Sequence, residues 1–255
     1  MPTYPPDAPT IIARLEALAN QENVAGMAHF GIQGARVLGV PVKTLRAIAR
    51  ETKRNHVLAG ELWVSGIHEA RILASIVADP KQVDLDLLER WVVDFDSWDL
   101  CDQCCTNLFV RTPFAREQAL VWSERTEEFV KRAGFVLMAQ VAGKDPRAPT
   151  DLLHRYLVCT ECEASDERNF VKKAVNWAIR EIGQRSVELN AAAIAVSQRL
   201  QASDSRSARW VGRDALRELT SAKVAQRVAR RQGTKDDTYH HETRAERSAS
   251  TRRSA

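Results

Sequence analysis

The sequence predicts an all-α protein, and three observations carry that prediction. Apolar residues recur at spacings of three and four along nearly the whole chain, while the alternation of a strand is almost absent. Four of the nine prolines fall within the first nine residues and none follows Pro149, which leaves room for long unbroken helices. A five-residue pattern recurs at a fixed interval. Phe129-Val-Lys-Arg-Ala133 returns as Phe170-Val-Lys-Lys-Ala174, and the same shift of 41 residues lands on Val211-Gly-Arg-Asp-Ala215. A period of roughly 40 residues in a helical chain is the range of HEAT and armadillo repeats, in which helix pairs stack into a curved solenoid. The expectation is a C-shaped, single-domain solenoid, with the three repeat helices side by side on its concave face.

The elements follow in order. Residues 1–9 form a Pro-rich N-terminal segment. Helices are expected near 10–20, 41–54, 58–65, 67–78, 83–94, 97–110, 114–121, 125–142, 150–162, 167–183, 186–201, 206–219 and 221–231. Breaks fall at Gly31-Ile-Gln-Gly34, Asp79-Pro80 and the run from Gly143 to Pro149, where glycine, proline and aspartate favour turns. The domain thus spans 10–231. Residues 232–255, rich in Ser, Arg and Thr without apolar periodicity, are expected to be a basic, disordered tail.

Charge is unevenly distributed. The chain carries a net charge of +4, but residues 223–255 hold nine Lys/Arg against four Asp/Glu, and residues 1–222 hold 28 against 29. The helical part is not basic on average, so any nucleic-acid surface on it must come from clustering. No apolar run of about eighteen residues is present, and the first residues lack the charged leader and apolar stretch of a secretory signal. A soluble intracellular protein is expected, with its five cysteines reduced.

On a helical wheel for the segment from 97, Trp98, Asp102, Cys105 and Phe109 share one sector. Leu100, Cys101, Cys104 and Leu108 form a core-facing stripe. Asp96, Ser97 and Asp99 suit the helix start, leaving Asp102 outside the first turn. By spacing alone Asp102 reads as a solvated carboxylate or the partner of a nearby arginine. On the helix from 167, Phe170, Val171, Ala174, Ala178 and Ile182 form an apolar arc, and Lys172, Lys173, Asn176 and Arg180 a basic one. Trp177 lies at the seam, either against phosphate and sugar or half-covering the core. The 41-residue repeat aligns Arg132 with Lys173, extending the strip; Arg209, Arg213 and Arg217 continue it, and Asp214 interrupts it.

These segments resemble the AlkD-type DNA alkylation repair enzymes, a family of HEAT-like repeat DNA glycosylases. The resemblance rests on Phe95-Asp-Ser-Trp-Asp-Leu-Cys-Asp102, Phe129-Val-Lys-Arg-Ala133 and Phe170-Val-Lys-Lys-Ala-Val-Asn-Trp-Ala-Ile-Arg180. Gly39-Val-Pro-Val-Lys-Thr-Leu-Arg46, His68-Glu-Ala-Arg71 and Ala208-Arg-Trp-Val-Gly-Arg-Asp-Ala-Leu-Arg-Glu-Leu219 support it, so that residues 10–230 are covered. It implies removal of N3- or N7-alkylated purines from double-stranded DNA by a monomer working in the bacterial cytoplasm, with no metal or other cofactor. Carried over by position, Asp102 matches the catalytic carboxylate, Trp98 and Trp177 the sugar-facing tryptophans, and Arg132, or its neighbour Lys131, the phosphate-gripping residue. Lys172, Lys173, Arg180, Arg209 and Arg213 complete the expected DNA contacts. The N-terminal tyrosine of some members has no counterpart, since Tyr4 precedes the first helix.

An alkylated purine is cationic and leaves readily, so the remaining barrier is positive charge developing on the sugar. A fixed carboxylate stabilises that charge and orients water, and tryptophan faces add to it. A shallow solenoid groove offers no deep pocket, and the family implies cleavage with the base still stacked. Two other interpretations use the same residues. Cys101-x-x-Cys104 and Cys159-x-x-Cys162 have zinc-ligand spacing, but no glycine-rich knuckle accompanies them. A HEAT-like scaffold that binds nucleic acid or protein without chemistry needs only the helices.

Overall fold

A computed structural model describes residues 6–34 and 36–231. The expected tail, 232–255, lies outside the described residues, as does most of the Pro-rich segment. No strand occurs among the described residues. The α-helices are α1 (Ala8–Ala17), α2 (Gln21–His29), α3 (Val42–Thr52), α4 (His56–Val64), α5 (His68–Val77), α6 (Leu85–Val92), α7 (Trp98–Asn107), α8 (Ala115–Ser123), α9 (Glu128–Lys144), α10 (Thr150–Glu163), α11 (Asn169–Gly183), α12 (Val187–Gln201) and α13 (Arg206–Leu219). Residues 222–231 are also helical.

Caps explain most starts. Asp7, Asn20, Asn55, Asp84, Ser97, Ser186 and Ser205 each accept a hydrogen bond from the backbone N–H three residues on. Helix α1 opens two residues earlier than its apolar pattern suggested, because Pro9 sits in the first turn, where no N–H is needed. Helix α2 was not expected at all. None of its residues is buried, so it carries no apolar stripe for a periodicity search to find.

The described residues divide into two compact units, one reaching to residue 141 and including 168–174, and one of 142–167 with 175–231. In the first, α5 packs against α3, α4 and α7, and α1 rests on α4 and α5. A column of aromatics anchors this unit. Trp63 stacks on Trp91 at 3.9 Å, and Phe95, Phe109 and Trp122 follow with centroids 5.7–6.3 Å apart. The indole N–H groups are satisfied: Trp63 Nε1 donates to Asp94 (2.8 Å) and Trp122 Nε1 to Glu89 (2.7 Å). Phe95 and Phe109 bracket α7 and fix where it sits.

In the second unit α12 packs on both α10 and α13. Gly212 permits the α12–α13 contact. A Cβ there would lie 2.5 Å from the backbone N of Gln201 and the carbonyl O of Ser197. The 41-residue repeat is a packing repeat. Ala133, Ala174 and Ala215 are each fully buried, as are Val130 and Val171 at a second repeat position.

Candidate active site

Ser97 starts α7 by accepting the Leu100 N–H. The expected core stripe of Leu100, Cys101, Cys104 and Leu108 is fully buried. The companion sector divides. Trp98 and Asp102 are half-buried, whereas Cys105 and Phe109 are buried, Phe109 lying past the end of the helix in a 3-10 turn. Trp98 Nε1 donates to the Phe30 carbonyl at 2.9 Å, which fixes the indole plane.

Asp102 is gripped by Arg132 from α9. Arg132 Nε donates to one carboxylate oxygen at 2.9 Å and Nη2 to the other at 2.8 Å, while Nη1 donates to the Phe170 carbonyl. The arginine side chain is 7% exposed and the aspartate side chain 20%. Burial pushes the Asp102 carboxyl above its ordinary value, and the guanidinium opposes that rise. In return the carboxylate outweighs the effect of burial on Arg132 and raises it further. The guanidinium stays charged, and a bidentate pair satisfies it only with a carboxylate, so the pair is ionic at neutral pH.

This geometry corrects the expected phosphate grip. Arg132 and Lys131 are 5% and 8% exposed, inside a helix buried continuously from residue 130 to 142. Arg132 turns inward because Asp102 is there to meet it. The basic strip is discontinuous further along as well. Lys173 is exposed and Lys172 half-buried, but Asn176 is buried and donates to the Val211 carbonyl at 3.3 Å. Arg180 pairs with Glu218 at 2.5 Å. Arg209 donates to the carbonyls of Ser203 and Asp204, tying down the turn before α13. Arg217 pairs with Asp214, and Arg213 is exposed. Trp177 lies in the second unit, half-buried, its Nε1 donating to Glu181 one turn on at 3.3 Å.

The His68-Glu-Ala-Arg71 segment supports the architecture. Glu69 is buried and accepts hydrogen bonds from the backbone N–H groups of Leu38, Gly39 and Val40. Arg71 bonds the Trp63 and Asp94 carbonyls. Among the described residues no three His, Cys, Asp or Glu side chains gather as a metal site. Cys101, Cys104 and Cys105 are buried thiols whose pKa values burial raises, Cys159 is half-buried and Cys162 exposed.

A cleft of about 890 Å³ opens in the first unit, with Met27, Phe30, Val40, His68, Ile72 and Trp98 among its walls. Sequence periodicity had no means of finding Phe30 or the cleft, since both depend on α2.

A family model for DNA alkylation repair enzymes matches residues 11–219. The chain belongs to the DNA alkylation repair enzyme family. A solved structure of a protein from a family related to the HEAT-like repeat DNA glycosylases, with affinity for branched DNA structures, is 23% identical. The match covers 76% of this chain and 83% of that one, with a TM-score of 0.69. This repair-family member therefore has the HEAT-like repeat fold. No curated protein matches it. No helix among its described residues is long and apolar enough to cross a membrane.

Proposed function

We propose that this chain is a DNA glycosylase that excises purines alkylated at N3 or N7 by hydrolysing the N-glycosidic bond. The supporting observation is the Asp102 carboxylate, held by two charge-assisted hydrogen bonds while one-fifth of its side chain remains open. Each carboxylate oxygen accepts more than one hydrogen bond, so the pair with Arg132 leaves capacity for a water molecule. A charge fixed before the reaction stabilises a sugar cation without reorganising. Trp98, one helical turn earlier and oriented by the Phe30 carbonyl, supplies an aromatic face. Arg132 acts as a positioning residue, and the exposed Lys173 and Arg213 are the proposed phosphate contacts. The substrate is double-stranded alkylated DNA, engaged by a monomer in the bacterial cytoplasm.

A binding-only role is the second interpretation, favoured by the fact that both Asp102 oxygens already have a partner and by the DNA affinity of the structural relative. Single-turnover release of 7-methylguanine separates the two. Release that is lost in Asp102→Asn supports the glycosylase; tight DNA binding with no release by the intact protein supports the alternative.

A further inference from the structure

The helix of residues 222–231 follows α13 and lies beyond the family-matched residues 11–219. Val224 and Val228, four apart, are its buried side. Arg227 and Arg231, also four apart, reach back to the turn that ends α11. Arg227 Nη1 donates to the Gln184 side-chain carbonyl, and Arg231 Nη1 to the Gln184 backbone carbonyl at 2.8 Å. Gln184 is 4% exposed, and its Nε2 donates to Glu218 at 2.9 Å, which turns the amide oxygen toward Arg227. The next residue, Arg185, donates to the carbonyls of Ala142 (3.5 Å) and Asp145 (2.8 Å).

Three guanidinium groups thus meet at one corner of the second unit, and each of these acceptors is a neutral carbonyl. The carboxylates nearby are engaged, Glu218 by Arg180 and Gln184, and Asp145 by the Arg147 N–H at 3.0 Å. Burial, and after it the charge of Arg231, hold Arg185 below the ordinary arginine value, with Asp145 opposing. Helix α12 starts at the same corner. Ser186 caps it by accepting the Leu189 N–H at 3.2 Å, and Glu188 in its first turn is taken by His154. The positive end of that helix adds to the arginines. Arg227 is exposed and Arg185 and Arg231 are half-buried, so solvent reaches all three.

Like charges gathered without a counterion repel one another, and an anion relieves that repulsion. The number of forks chooses the anion. An internal phosphodiester carries one charge and two free oxygens. A terminal phosphate carries nearly two charges at neutral pH and three strong acceptor oxygens, which three guanidinium forks can share. We propose that Arg185, Arg227 and Arg231 form a binding site for a terminal phosphate group, carried by the end of a DNA strand or by a free nucleotide. Gln184 is the strut that positions two of the three. The site does not depend on excision.

Two pairs of probes test it on the full chain. Calorimetry compares deoxyadenosine 5′-monophosphate with deoxyadenosine, and anisotropy compares one short duplex bearing 5′-phosphate or 5′-hydroxyl ends. The phosphorylated member of at least one pair should bind roughly tenfold more tightly. A preference confined to the nucleotide identifies a free ligand, and one seen with the duplex identifies a strand end. Arg227→Gln with Arg231→Gln should bring the preference close to unity, with a melting curve to show that the variant is folded. No preference in either pair overturns the proposal. So does a preference that survives the double variant, or an equal loss on phosphate- and hydroxyl-ended DNA. Release of 7-methylguanine from hydroxyl-ended DNA reports on the glycosylase separately: it should be unchanged in the double variant, and its absence from the wild type defeats only the catalytic proposal.

Discussion

Asp102 and Arg132 are bound energetically as well as geometrically. Asp102→Asn removes the charge that compensates a guanidinium with 7% exposure, and an uncompensated buried charge costs about 3 kcal/mol or more. A melting curve should show that variant unfolding roughly 6–12 °C lower. Asp102→Asn with Arg132→Gln removes both charges and should recover most of the loss. Excision should remain slowed in both, by roughly 100-fold or about 3 kcal/mol. A double variant that regains activity along with stability would make the pair purely structural. pH supplies a second check. The bidentate pair with Arg132 keeps the carboxyl charged at neutral pH, while burial makes it titrate above the ordinary 3.8, so its catalytic charge disappears as pH falls through that raised value. The acid limb of single-turnover excision should therefore lie above 3.8, and a limb at or below the ordinary value would refute the assignment. The same upward shift means this group opposes folding as pH rises from the unfolded to the folded pKa.

At the scale of elements, contact between helices is set by a few small residues. Gly212→Ala places a methyl against backbone of α12 that cannot swing aside, so α12 and α13 must separate. The expected loss is about 1–3 kcal/mol, read as a lower urea midpoint with unchanged slope. A midpoint equal to the wild type would mean that the helices part freely. Helix α11 shows why a wheel alone misjudges a surface. Lys173 and Asn176 share an arc, yet Asn176 is buried against α13 because its amide reaches the Val211 carbonyl. Repeat logic failed in the same way at Arg132 and Lys173, which are equivalent in sequence but opposite in exposure. The difference is the presence of Asp102 beside one of them.

For the molecule as a whole, phosphate attraction should reside in few side chains. Lys173→Ala and Arg213→Ala should each lower the salt slope of duplex binding by roughly 0.9, whereas Arg180→Ala should do less because Glu218 already neutralises it. An unchanged slope in the Lys173/Arg213 double variant would move the DNA elsewhere on the protein. The all-helical architecture, the helix positions after residue 41 and the placement of Trp98 and Asp102 on one helix were legible in the sequence. Each depends on local signals: three-four periodicity, capping side chains and the 41-residue repeat. Tertiary structure alone decided that Arg132 meets Asp102 rather than phosphate and that Phe30 stands at the mouth of a cleft. These are relations between residues 30 to 68 positions apart, and the sign of a side chain's role there depends on which group arrives opposite it. A buried arginine and an exposed one look alike in a sequence; the desolvation of the charge, and the carboxylate that offsets it, exist only once the chain has folded.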